Sequence, residues 1–156
     1  MKAAYRRLTR AMPVALALGS LALLTHPTAA VAQSVYETVT DTRMDGILKG
    51  MGFETTLVKA GSFRFELNGY KVLMLLGNDN TDAQLYIGFG DMKVSPSKMN
   101  EWNKGKRFCR AYMDDDGNPV LESDLDFTGG VTEDAIKAWI KLYRGLLKSY
   151  IEFLNK

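Results

Sequence analysis

Between Glu54 and Phe89 apolar and polar positions fall into three strand-like runs, Glu54–Leu67, Tyr70–Leu76 and Ala83–Phe89. Phe63, Phe65 and Leu67 interleave with Arg64 and Glu66, and this period of two predicts a strand with one face on a core and the other in water. Asn68-Gly69 links it to the next run as a two-residue hairpin turn, because both residues tolerate the positive φ that turn requires. Gly61 is placed to divide the first run into two short strands. Val72 to Leu76 is apolar at every position, which predicts a central strand covered on both faces. In the third run Leu85, Ile87 and Phe89 share one face.

Three segments carry helical spacing. A short helix over Asp41–Gly50 has Asp41 as its N-cap, Met44, Ile47, Leu48 and Met51 on one side, and Gly50 and Gly52 as stops. A second starts at Ser95-Pro96, with Ser95 as N-cap and Pro96 at the first helical position, and turns Met99 and Trp102 inward. The longest begins near Thr132, where Ile136, Trp139, Ile140, Tyr143, Leu147, Tyr150, Ile151 and Leu154 keep an apolar stripe. Before it lies a hairpin of Arg107–Met113 and Val120–Phe127, turning at Asp114 to Asn118. A two-residue turn at Asp116-Gly117 would set Arg107 opposite Asp126, on an exposed acidic stripe with Glu122 and Asp124. The order α-β-β-β-α-β-β-α predicts an α+β fold, one antiparallel sheet packed with helices. Hairpin-linked strands and the lack of a glycine-rich strand-to-helix turn disfavour a dinucleotide-binding fold.

Residues 1–32 read as a secretory signal. Lys2, Arg6, Arg7 and Arg10 form a basic start, Ala11 to Leu24 an apolar run, and Ala30-Val31-Ala32 offers small residues to a signal peptidase, so cleavage is expected before Gln33. The run is shorter than the ~20 apolar residues of a spanning helix, and Pro13 and Gly19-Ser20 interrupt it, so no stable membrane insertion is expected after cleavage. Residues 33–38 then form a flexible N-terminus and 39–156 one domain, with a periplasmic or secreted location. Four of the 20 basic residues lie in the signal and none of the 18 acidic ones, leaving residues 33–156 with a net charge of −2. That balance does not suggest nucleic acid as a partner.

The chemistry available to residues 33–156 is thin. The single histidine, His26, lies in the signal, which removes imidazole as base or metal ligand. Cys109 has no partner for an internal disulfide and reads as a small buried residue. Asp114 to Asn118 begins like a calcium loop, but Pro119 stands at the glycine position and Leu125 at the glutamate position, so a polar hairpin turn is the better reading and no metal is expected. Glu122, Asp124 and Asp126 have a spacing compatible with a hydrolytic carboxylate pair, but an exposed acidic strand explains them more simply. Ser95 and Lys98 match a Ser-x-x-Lys spacing that the helix cap accounts for. No enzyme and no cofactor is expected.

Asn100, Trp102-Asn103, Arg107-Phe108, Arg110-Ala111-Tyr112, Asp115-Asp116-Gly117, Leu121, Glu122, Asp124-Leu125 and Gly129-Gly130-Val131 form a combination that resembles the YbjN family of bacterial sensory transduction regulators. Gly52-Phe53 after the first helix fits too, and the resemblance runs over about residues 39–154. It implies a fold like that of type III secretion chaperones, which usually dimerise and bind polypeptides, and it supplies no catalytic residue. The export signal departs from the cytoplasmic role of those chaperones.

The expected function is thus an exported, non-enzymatic regulatory or protein-binding module. Trp102, Asn103, Arg107 and Arg110 are its partner-binding candidates, since Trp and Arg are enriched in binding hot spots. Their structural alternatives are that Trp102 packs a helix on the sheet, Asn103 caps that helix and Arg107 pairs with the acidic stripe. A small-molecule or lipid carrier with a cavity under the long C-terminal helix is the alternative function. A homodimer through that helix is a third reading, with Leu146 and Phe153 outside its main stripe.

Overall fold

The computed structural model describes residues 33–90 and 92–156; the expected signal lies outside the described residues. In chain order the elements are β1 (Val35–Tyr36), α1 (Asp41–Gly50), β2 (Thr56–Lys59), β3 (Ser62–Leu67), β4 (Tyr70–Leu76), β5 (Asp82–Gly88), α2 (Pro96–Gly105), β6 (Arg110–Met113), β7 (Pro119–Asp126), β8 (Val131–Thr132) and α3 (Glu133–Leu154). Asn68 and Gly69 take φ of 53° and 82°, closing the tight turn that pairs β3 with β4 from Leu67↔Tyr70 to Ser62↔Leu75. Gly61, at φ 71°, separates β2 from β3. The main sheet has six antiparallel strands in the order β2-β3-β4-β5-β7-β6.

Register aligns the buried residues on one face. Phe63 opposes Met74, which opposes Leu85 and then Ser123; Ile87, Leu121 and Ala111 form a parallel row. Against this face α3 buries Ile136, Ile140, Tyr143, Leu147 and Tyr150, and α1 buries Met44, Ile47 and Leu48. These side chains occupy the middle of the space between the sheet and α3. On the other face Leu73 and Leu75 are half-buried beside Tyr86 and Gln84, so β4 is central but not covered equally on both sides. Its continuous apolar run does not distinguish full cover from partial cover.

Several local expectations shift by a residue. Thr40, not Asp41, caps α1, its Oγ1 accepting the Arg43 N–H; both Asp41 carboxylate oxygens instead accept the Gly61 N–H at 3.1 Å. Residues 33–38, expected to be flexible, contain β1, which pairs with β8 through Val35↔Thr132 and Tyr36↔Val131. Ser95 caps α2 as expected, and Thr132, near which the long helix is expected to begin, caps α3.

The 114–118 loop sets the register of the second hairpin. Asp114 and Asn118 close it through a backbone hydrogen bond of 3.0 Å, leaving three residues between them, with Gly117 at φ 76°. Asp114 Oδ1 also accepts the N–H groups of Asp116 and Asn118, and the backbone N–H of Asn118 is the main influence lowering its pKa. Arg110 therefore opposes Glu122, and the expected pairing of Arg107 with Asp126 does not form.

Candidate functional site

Strand β6 starts at Arg110, three residues later than its sequence pattern suggests, because Phe108 adopts φ 66° and turns the chain off the sheet. Strand β7 pairs with β5 from Val120 to Asp126 but with β6 only from Pro119 to Glu122. The difference leaves a notch at the sheet edge beyond Glu122. It is a groove of about 500 Å³, with Phe108 and Cys109 on one side, Ala138, Trp139 and Leu142 of α3 on the other, and β7 residues Glu122 to Leu125 along it. Phe108 is 66 % exposed and Leu142 43 % exposed.

A polar chain fixes this geometry. Trp139 donates its indole N–H to Ser123 Oγ at 2.9 Å, and Ser123 donates to the Phe108 carbonyl at 2.7 Å. Ser123 and Trp139 are both buried, so the bond between them satisfies groups largely withdrawn from water, and the second ties the Phe108 backbone to β7. A non-glycine residue at positive φ costs of order 1 kcal/mol, and the tether to Ser123 helps to offset it.

The four residues expected to bind a partner take different roles. Trp102 is 2 % exposed and packs between Tyr150 and Phe153, with ring centroids 4.9 and 5.4 Å away. Its buried indole N–H has no hydrogen-bond partner among the described residues. Asn103 does not cap α2. Its amide donates to the Ala111 carbonyl at 2.8 Å and accepts the Ala111 N–H at 2.9 Å, closing the outer edge of β6. Arg107 is exposed, with its guanidinium carbon 5.3 Å from the centre of the Phe108 ring. Arg110 donates to Glu122 Oε1 through Nε at 2.6 Å and through a terminal nitrogen. The structure thus brings Arg110 to the notch, leaves Arg107 exposed against the Phe108 ring, and draws Trp102 and Asn103 into the architecture.

Sequence pattern alone missed Phe108, Ser123 and Leu142. The exposed aromatic beside Arg107 was the available signal for the first, but the positive φ that exposes it has none. The three carboxylates do share one face of β7, but the stripe is not exposed throughout: Glu122 is buried and accepts from Arg110 and from Tyr112 OH at 2.9 Å, exposed Asp124 accepts from Gln84, and exposed Asp126 accepts the Thr128 N–H, which chiefly lowers its pKa. Cys109 lines the groove half-buried, and burial pushes its thiol pKa up against the smaller opposing effects of Trp102 and Lys106. Ser95 and Lys98 form no dyad, since Lys98 Nζ donates to the Leu154 carbonyl at 3.2 Å. Among the described residues no cluster of His, Cys, Asp and Glu is arranged to hold a metal ion.

An antiparallel six-stranded sheet with helices on one face and an apolar notch at its edge makes up a small α+β domain. The chain belongs to the YbjN family, whose model, described as a putative bacterial sensory transduction regulator, matches residues 34–156. No curated protein matches it. The crystal structure of YbjN, a putative transcription regulator from E. coli, is similar with a TM-score of 0.57 and 18 % identity, over 78 % of this chain and 93 % of that one. At that identity the similarity establishes the fold.

Proposed function

We propose that the protein is an exported, non-enzymatic regulatory module that docks a protein partner at the notch between Phe108 and Leu142. The observation that carries this reading is Phe108, an aromatic ring held out of the core by a positive φ and a satisfied carbonyl, over an apolar groove. Protruding aromatics that fit a partner's pocket are the usual anchors of an interface. Charge points to the partner's chemistry. Among the charged side chains lining the notch Arg110 and Glu122 neutralise each other, while exposed Asp124 accepts only from the neutral Gln84 amide and keeps its charge. The complementary segment therefore carries apolar side chains with a cationic group placed to meet Asp124.

Crosslinking in the periplasmic fraction tests this. A protein recovered with the wild type, and lost with a folded Phe108→Ser, Leu142→Ser variant, is the expected result. Equal recovery with both, or none with either, would remove the notch as the docking surface.

A further inference from the structure

We propose that a second recess, between the end of α1 and the outer face of α3, binds a single-chain anionic amphiphile: a carboxylate or phosphate head on an alkyl tail. This goes beyond the partner-docking reading and does not depend on it. The recess holds about 350 Å³, within the range of small-ligand sites. Its apolar floor is Met51, Phe53 and Ile140, and its rim is Lys137, Lys141 and Arg144, with no carboxylate in the lining.

The rim follows from helical spacing, since residues at i, i+4 and i+7 share a face. Its three cations are not equally engaged. Lys137 pairs with Glu133 at 2.7 Å. Arg144 uses Nε on Asn68 Oδ1 at 3.1 Å, with no bond from its terminal nitrogens among the described residues. Lys141 is exposed and forms no ion pair among them. Two cationic groups are therefore available to one anion.

The floor is firm and offers no polar group to a head. Phe53 packs on Phe65 with ring centroids 5.1 Å apart, and the N–H groups of Met51 and Phe53 are taken by the Ile47 and Leu48 carbonyls at 3.1 Å. A simple anion would use the rim and leave the floor wet; a neutral chain would use the floor and leave the cations unpaired. An amphiphile uses both. In contrast to the notch, none of the exposed large apolar side chains lies here, so the recess presents no knob to a protein.

The test is a titration of the purified protein, followed by amide NMR, with sodium decanoate, decyl phosphate, inorganic phosphate and decyltrimethylammonium, each below its micelle concentration. Saturable shifts confined to Gly50–Phe53 and Lys137–Arg144 are expected with decanoate and decyl phosphate. Lys141→Glu, Arg144→Glu should weaken both by about tenfold or more, since each lost charge-assisted contact is a large fraction of a weak affinity. Gly50→Leu keeps the charges and narrows the recess; a Cβ at Gly50 meets nothing within 4 Å, circular dichroism checks that the variant is folded, and it should weaken decyl phosphate more than inorganic phosphate. Equal binding of the cationic amphiphile, equal binding of inorganic phosphate, no saturable shift, or affinity unchanged in the double variant would each overturn the proposal. The notch variant Phe108→Ser, Leu142→Ser should bind decyl phosphate like the wild type, which keeps this test separate from the docking reading.

Discussion

Trp139 and Ser123, 16 residues apart in sequence, meet as donor and acceptor at 2.9 Å, and through Ser123 the helix α3 holds the Phe108 carbonyl. One hydroxyl thus joins three segments. Ser123→Ala should cost about 1–3 kcal/mol, because it strands the buried Trp139 N–H and releases the Phe108 carbonyl from its tether. Replacing Trp139 by Phe as well removes the stranded donor, so the double variant should lose less than the sum of the singles. Urea unfolding of the four proteins measures this, and strict additivity would show that the bonds are not coupled.

The hairpin register makes Arg110 and Arg107 unequal. Arg110→Ala leaves the buried Glu122 carboxylate with Tyr112 alone and should cost about 1 kcal/mol, a value reduced because the Arg110 side chain is 66 % exposed. Arg107→Ala removes no ion pair and should stay within about 0.5 kcal/mol of the wild type. Thermal unfolding ranks them; the reverse ranking would support the two-residue turn.

Asn103 occupies both outward-facing groups of Ala111 on the edge strand β6. Asn103→Ala should return that backbone to water, with a stability loss of about 1 kcal/mol and a selective rise in hydrogen exchange at the Ala111 amide. Exchange that rises uniformly across the domain would instead indicate global destabilisation.

Tyr143 and Tyr150 donate to the Leu121 and Val120 carbonyls, and burial above all, then the Cys109 thiol, raises the pKa of each well above the ordinary 10.0. Below that value both states keep the protons and no pH dependence arises. Above it the unfolded chain ionises while the folded one does not, so stability should fall by up to about 1.4 kcal/mol per pH unit for each tyrosine. Urea unfolding from pH 8 to pH 12 should show this alkaline slope, and Tyr143→Phe, Tyr150→Phe should flatten it. An unchanged slope in the double variant would assign alkaline unfolding to other groups.

Trp102→Ala, at a partner-binding candidate whose structural alternative is packing a helix on the sheet, should cost about 3–5 kcal/mol as a core truncation. It therefore reports on folding, not on docking, and circular dichroism of the variant distinguishes the two.

By itself the sequence determined the elements whose information is local. The Asn68-Gly69 turn, the alternation of Phe63, Phe65 and Leu67, the Ser95 cap, the start of α3 near Thr132 and the stripe of α3 all depend on neighbours a few residues apart, and all appear in the structure. Family membership was legible for the same reason, as a combination of residues along the chain. Tertiary structure decided the register of β6, the burial of Glu122, the tether of Phe108 and the two recesses beside α3. Each depends on distant partners: a loop that closes on three residues instead of two shifts every cross-strand pairing by one. A positive φ at Phe108 is a cost that no local pattern encodes, and it is tolerated alongside the Ser123 and Trp139 bonds that folding brings to it.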